Sequence, residues 1–201
     1  MKVGVIALQG AVSEHIEAVL RAIRELEIQG KVTPIRRVKQ LEAVDGLIIP
    51  GGESTTISKL LDKFDMSQTI KEMAEKGMPI MGTCAGCILL AKEGDSEVEK
   101  SETKLLGLMD MKVKRNAFGR QRESFETKLD IKGFDLPYKA VFIRAPAIES
   151  VWGGCTALAS VEGKILLARQ ENLLACAFHP ELTDDMRIHG LLLEMIINHD
   201  F

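Results

Sequence analysis

The strongest constraint on this chain is a series of short, mostly apolar runs, most of them stopped by glycine or proline and separated by helix-length segments. Lys2–Leu8 is the first, ended by Gln9-Gly10. Lys31–Arg36 is the second. Gly46–Ile49 is the third, stopped by Pro50-Gly51-Gly52, and Met78–Met81 is the fourth, leading into Gly82. A strand with one wet face alternates apolar and polar residues, whereas a strand covered on both faces has no reason to alternate. Between the runs the period changes. Ile16, Val19, Leu20, Ile23 and Leu26 fall at spacings of 3, 1, 3 and 3, which lines one face of a helix. Ser54 is placed to cap the helix after the third strand. Met66–Lys76 reads as helix, with Gly77 as its stop. A further helix follows Cys84 to about Glu93. Strands of this kind alternating with helices predict an α/β fold, with a three-layer, mostly parallel central sheet and helices on both faces.

After Lys104 the pattern shifts. Gly94–Lys104 is polar and charged and reads as a surface loop. Met109–Lys114, Ser124–Ile131, Ala140–Ile143, Thr156–Val161, Lys164–Ala168 and Leu173–Phe178 are strand-like runs with turn residues between several of them, as antiparallel additions at the sheet edge would give. A last helix is expected with Thr183 as its cap, Asp184 and Asp185 at its positive end, and Met186, Leu193 and Ile197 on its inner side. No repeat or low-complexity tract interrupts the chain, so 1–201 reads as a single domain, a length that needs no disulfide or metal staple.

Composition excludes several functions. Lys plus Arg total 26 against 29 for Asp plus Glu, a net charge of -3, so no basic face for nucleic acid is implied. One Trp and one Tyr leave little aromatic surface for stacking bases. No apolar run reaches the roughly 18 residues that cross a membrane, and Gln9 breaks the N-terminal run before it could serve as a signal peptide. A cytoplasmic location is therefore expected, where Cys84, Cys87, Cys155 and Cys176 would be reduced thiols. Neither a metal site nor a cofactor site is expected.

Gly82-Thr83-Cys84-Ala85-Gly86 has the form G-x-C-x-G between an expected strand and an expected helix, the elbow on which hydrolases hold a nucleophile. The turn is sharp, so its neighbours must be small. A cysteine at a helix start is favoured as thiolate, and the Ala85 N–H would point where an oxyanion forms. A buried structural cysteine is the ordinary alternative. Cys84 and Cys87 also form C-x-x-C, the layout of a redox pair. That reading needs no glycine at both 82 and 86. As zinc ligands the two lack a second pair.

A thiolate still needs a proton carrier for its leaving group. His179-Pro180-Glu181 follows the apolar run Leu173–Phe178. In extended chain, residues two apart share a side, so Glu181 could hold the His179 imidazole in one tautomer as a triad acid does. Parallel strands end on one edge, where Cys84 and His179 could meet. His15 and His189 on helices, and His199 near the end, fit ordinary satisfied or surface histidines.

With these residues in place, the chain resembles the class I, triad glutamine amidotransferases. Six blocks, Leu8–Val12, Pro50–Thr56, Gly82–Gly86, Arg115–Gln121, Phe142–Pro146 and Phe178–Thr183, look more narrowly like the glutaminase subunits of two-component pyridoxal 5'-phosphate synthases. The resemblance implies that Cys84 attacks the side-chain amide of L-glutamine, His179 moves the protons and Glu181 orients His179. It implies oxyanion N–H groups at Gly52 and Ala85, and glutamine binding by Gly52, Glu53, Ser54, Arg115, Ile143 and Arg144. Arginine suits the α-carboxylate and a glutamate suits the α-ammonium. It further implies that ammonia passes to a synthase subunit as protein partner, sensed through Gln9 and Gly10. Cys87 departs from the pattern, which expects an aliphatic residue there. A non-catalytic scaffold subunit, and an amidotransferase branch serving another acceptor, are the competing readings.

Overall fold

The computed structural model describes residues 1–118 and 124–198. The strand–helix alternation is present: β1 (Lys2–Ile6), α1 (Val12–Glu25), β2 (Lys31–Ile35), α2 (Val38–Leu41), β3 (Gly46–Ile49), α3 (Ser54–Lys63), α4 (Met66–Glu75), β4 (Ile80–Thr83) and α5 (Ala85–Leu90). The second half continues as β5 (Ala91–Gly94), α6 (Ser96–Lys100), β6 (Met109–Lys114), β7 (Ser124–Leu129), β8 (Tyr138–Ile143), β9 (Ala147–Val151), β10 (Thr156–Val161), β11 (Lys164–Gln170), β12 (Leu173–Cys176) and α7 (Arg187–Ile197). His199, and the Gly119-Arg120-Gln121 end of the fourth sequence block, lie outside the described residues.

The sheet runs β2-β1-β3-β4-β12-β11-β9-β6-β5, with β10 on β11. Strands β2, β1, β3, β4 and β12 pair in parallel, the pairs β12–β11, β11–β9 and β9–β6 are antiparallel, and β5 returns to a parallel pairing on β6. β1, β3 and β4 are buried on both sides, as their lack of alternation requires, whereas β2 at the sheet edge is only partly buried. Leu47, Ile49 and Ile80 face a core shared with α3 to α5, while Ile48 and Met81 face one shared with α1 and α7.

Several details differ from the sequence reading. β12 is not an edge addition: it lies beside β4, in register Cys176 with Thr83. The expected helix to Glu93 ends at Leu90, and the chain then turns into β5. The expected loop Gly94–Lys104 contains α6, because Asp95 accepts the free N–H groups of Glu97 and Val98. Glu53, not Ser54, caps α3 by accepting from Thr55 and Thr56. Thr183 does not cap the last helix, which begins at Arg187 with Asp185 accepting the Arg187 N–H. Met186 and Leu193 are buried as expected, but Ile197 is 53% exposed, and Ile188 and Leu192 complete the inner side of α7. The buried face of α1 is also rotated: Leu20 and Leu26 are exposed, while His15, Ala18, Val19 and Ala22 are buried.

β7 and β8 form a separate antiparallel hairpin. Its buried Tyr138 and Phe142 sit with ring centroids 5.5 Å and 5.7 Å from Phe178. The backbone N–H of His179 donates to Val141 O in β8 at 2.8 Å. The hairpin therefore fixes the chain where it leaves β12.

Close approach of backbones dictates the glycines of the elbow. A Cβ on Gly86 would lie 2.0 Å from Ile49 O in β3. No side-chain rotation relieves that clash. Gly86→Ala is expected to cost at least the 1–3 kcal/mol typical of overpacking, which lowers the melting temperature by roughly 2–4 °C per kcal/mol in a domain of this size. Thermal unfolding of the purified variant checks this, and an unchanged midpoint would contradict the packing described.

Candidate active site

Cys84 sits between β4 and α5 with φ 47° and ψ -100°. A non-glycine residue held there costs about 1–3 kcal/mol, which the surroundings must repay. The Cys84 N–H donates to Cys176 O at 2.8 Å, so the parallel partner strand clamps the turn. The side chain is nearly buried, and Ala85 opens α5 with an N–H that has no partner within the helix. This is the elbow expected from the sequence.

His179 reaches the same point from the end of β12. Its Nδ1 lies 2.7 Å from Glu181 Oε1, which leaves its other nitrogen for Cys84, the second group that acts on its proton. The geometry differs from the extended arrangement expected. Pro180–Leu182 is a turn of 3-10 helix, and it is the turn that swings Glu181 back under the imidazole. Burial works against a charge on His179, but the hydrogen bonds to Cys84 and Glu181 outweigh it and raise its pKa to about 10. Burial also opposes ionisation of Glu181, yet His15 and then His179 draw its carboxyl below the usual range. A cysteine, an imidazole favoured as imidazolium and an ionised acid thus stand in line.

The line opens on a cleft of about 450 Å³. Gly52, Glu53, Ser54, Ala85, Arg115 and Arg144, all named from the sequence, line it with Cys84. Ile143 does not line it. It ends β8 beside Arg144, whose φ of 44° turns the chain toward the cleft. Glu53 is more than a cap. Arg115 Nη2 lies 2.5 Å from its Oε1, and Thr55 and Thr56 donate to its two oxygens. Burial would raise this carboxyl, but the bonds from Thr56 and Thr55 and the nearby Arg115 hold it at about 2.

Gln9 and Gly10 lie outside the cleft but touch its wall. Gln9 Oε1 accepts the Glu53 N–H at 2.9 Å, and Ala11 N–H donates to Gly51 O at 3.0 Å. A Cβ on Gly10 would lie 1.9 Å from Gly51 O. Gly51 in turn lies against His179 and Cys84. A shift of the Gln9–Gly10 turn would therefore move the loop that carries Gly52.

The sequence of the SNO glutamine amidotransferase family matches residues 5–198. The chain belongs to that family. It is 52% identical over 198 residues to a protein of Methanosarcina mazei named "Pyridoxal 5'-phosphate synthase subunit PdxT", covering 98% of this chain and 100% of that one. It is 55% identical to a protein of the same name from Archaeoglobus fulgidus, covering 97% and 98%. A crystal structure described as a glutamine amidotransferase superposes with a TM-score of 0.85 at 42% identity, covering 96% of this chain and 98% of that one. A glutamine amidotransferase from Thermotoga maritima, at 15% identity and a TM-score of 0.65, shares the fold alone.

Some features of this amidotransferase escaped the sequence reading. Glu97 and Asn116, bonded to each other, line the cleft together with Ile88 and Pro146. Glu97 belongs to α6, which its polar sequence disguised as a loop. His15 and His189, expected to be ordinary histidines, are wholly buried behind Glu181. The Asp95 that caps α6 was the one local signal for Glu97. The two histidines carried none, because their partners lie on other elements. Cys87 lies in the core beneath Cys84, where burial pushes its thiol far up, against redox use.

The raised pKa of His179 gives a direct check. Its proton is bound more tightly in the folded chain than in the unfolded one. The stabilisation it brings is complete below about pH 6.5 and is lost as pH rises through about 10. Nitrogen NMR of the imidazoles is expected to show His179 protonated at pH 8, and Glu181→Gln is expected to lower its midpoint. A midpoint near 6.5 in the unaltered chain would contradict the coupling described.

Proposed function

We propose that the chain is the glutaminase subunit of a pyridoxal 5'-phosphate synthase, one domain over 1–201, acting in the cytoplasm. The observation that carries the reading is the line Cys84–His179–Glu181 at the wall of a cleft holding Arg115 and Arg144. The Cys84 sulfur, as thiolate, attacks the side-chain amide carbon of glutamine. The carbonyl oxygen becomes an oxyanion, received by the N–H groups of Gly52 and Ala85. His179 gives its proton to the amide nitrogen, the carbon–nitrogen bond breaks, and ammonia leaves a thioester on Cys84. His179, now neutral, takes a proton from water as the water oxygen attacks the thioester. Glutamate departs and the thiolate returns. Glu181 keeps the imidazolium oriented throughout.

The cleft suits free glutamine. Arg115 offers a planar guanidinium to the α-carboxylate, with Arg144 beside it. Glu53 and Glu97 put negative charge near the α-ammonium. Gly52, Glu53 and Ser54 bring the loop backbone to the ligand, and Ile143 sets the position of Arg144. The names of the relatives supply the acceptor: ammonia goes to a synthase subunit, docked against Gln9 and Gly10. Gln9 holds the Glu53 N–H, so docking there acts on the oxyanion loop.

Glutamate release measured with and without the synthase subunit tests this. Activity is expected with the partner and little without it, and Cys84→Ala is expected to abolish it. Arg115→Ala is expected to raise KM for glutamine more than it lowers kcat, because the guanidinium holds the ground state as well as the transition state. Release undiminished by Cys84→Ala would overturn the reading.

A further inference from the structure

Two imidazoles stand behind the triad acid with no part in the reaction just described. His15 on α1 and His189 on α7 are both 0% exposed, although uncompensated burial of such groups is costly. His15 Nε2 lies 2.9 Å from Thr83 Oγ1 and 3.3 Å from Glu181 Oε2, and its Nδ1 lies 3.1 Å from His189 Nε2. Thr83 is the residue before the nucleophile. The contact to Oε2 is electrostatic, since the oxygen has no well-directed hydrogen bond and His15 aims more nearly at Thr83.

The proton positions follow. A bare ring nitrogen 3.3 Å from an ionised carboxylate would set lone pair against lone pair, so His15 Nε2 must carry hydrogen. Burial lowers the pKa of His15 against the opposing pull of Glu181, and that of His189 still further, which favours the neutral form of both rings. His15 Nδ1 is then an acceptor, and His189 Nε2–H must be its donor. His189 Nδ1 is left bare, and among the described residues it has no partner, as this arrangement allows. One tautomer is fixed at each ring. Neutrality matters: a charged His15 would compete with His179 for Glu181. The titratable groups facing the pair are Glu14 on α1, Glu181 and His179 after β12, and through Glu181 the thiols of Cys84 and Cys176.

We propose that His15, locked as its Nε2–H tautomer by His189, is a positioning residue for glutamine hydrolysis. It steadies Oε2 of Glu181 so that Oε1 alone receives the His179 Nδ1 proton. The inference rests on the triad reading of Cys84, His179 and Glu181. It also gives α1 a role. The helix begins just after the Gln9–Gly10 turn, and His15 N–H bonds Ala11 O at 3.3 Å. Its first turn thus links the proposed docking segment to the triad acid.

The test uses the complex with the synthase subunit. His15→Leu is expected to lower kcat about 10- to 100-fold, the range lost with outer partners of metal-bound histidines, with KM for glutamine unchanged. The alkaline limb of the rate profile should move to lower pH, because Glu181 would hold the His179 proton less well. His15→Gln, which keeps a donor near Oε2, should restore most of both. In the unaltered chain, nitrogen NMR should show His15 at pH 7 as a neutral, Nε2-protonated ring. That last measurement stands even if a variant fails to fold. A His15 that titrates near 6.5, an Nδ1-protonated tautomer, or His15→Leu with unchanged kcat and pH profile would each overturn the proposal. If Cys84→Ala remained active, the triad reading itself would have failed instead.

Discussion

The site depends on the parallel pairing of β4 with β12. These strands are far apart in sequence, yet their register sets Thr83 beside Cys176, and the Cys84 N–H donates to Cys176 O. Both strands end on the same edge of the sheet. Cys84 leaves the end of one strand and His179 the end of the other, so the proposed nucleophile and base inherit their spacing from the sheet. The sheet is costly to deform, because both of its faces are buried.

Secondary contacts then trim each partner. On the Cys84 side, Gly86 lets α5 close onto Ile49, which accommodates the strained turn. On the His179 side, the β7–β8 hairpin holds Phe178 between aromatic rings and bonds the His179 N–H. The turn Pro180–Leu182 brings Glu181 back. The loop Gly51–Glu53 closes the third side and is tied to Gln9–Ala11 by two hydrogen bonds, Glu53 N–H to Gln9 Oε1 and Ala11 N–H to Gly51 O. Strain at Cys84 and coupling at the loop are local. The charge balance is shared more widely, since the ionisation of Glu181 depends on His15 as well as on His179.

The parallel half of the fold was legible because continuous apolar runs leave few alternatives. Gly46–Ile49 was read to the residue. The grouping of Cys84, His179 and Glu181 was legible because these residues lie in short motifs at strand ends. Ser54 was misjudged as a cap because Glu53, one residue earlier, has a longer side chain that reaches the same N–H groups. The helix α6 was missed because its polar sequence shows little helical period; its one apolar anchor is Val98. The central place of β12 was not legible either, since strand order follows from pairing across the sheet and not from local pattern. His15 illustrates the general case. Its meaning comes from Thr83, Glu181 and His189, none of which is near it in sequence.

The central claim is that one thiol of four is the nucleophile that glutamine meets. Peptide mapping by mass spectrometry, after the complex with its synthase subunit reacts with a glutamine-like electrophile, measures this directly. The account predicts a single label on Cys84, suppressed by excess glutamine, with Cys87, Cys155 and Cys176 unmodified. A label on Cys87, or one spread among the thiols without protection by glutamine, would contradict it.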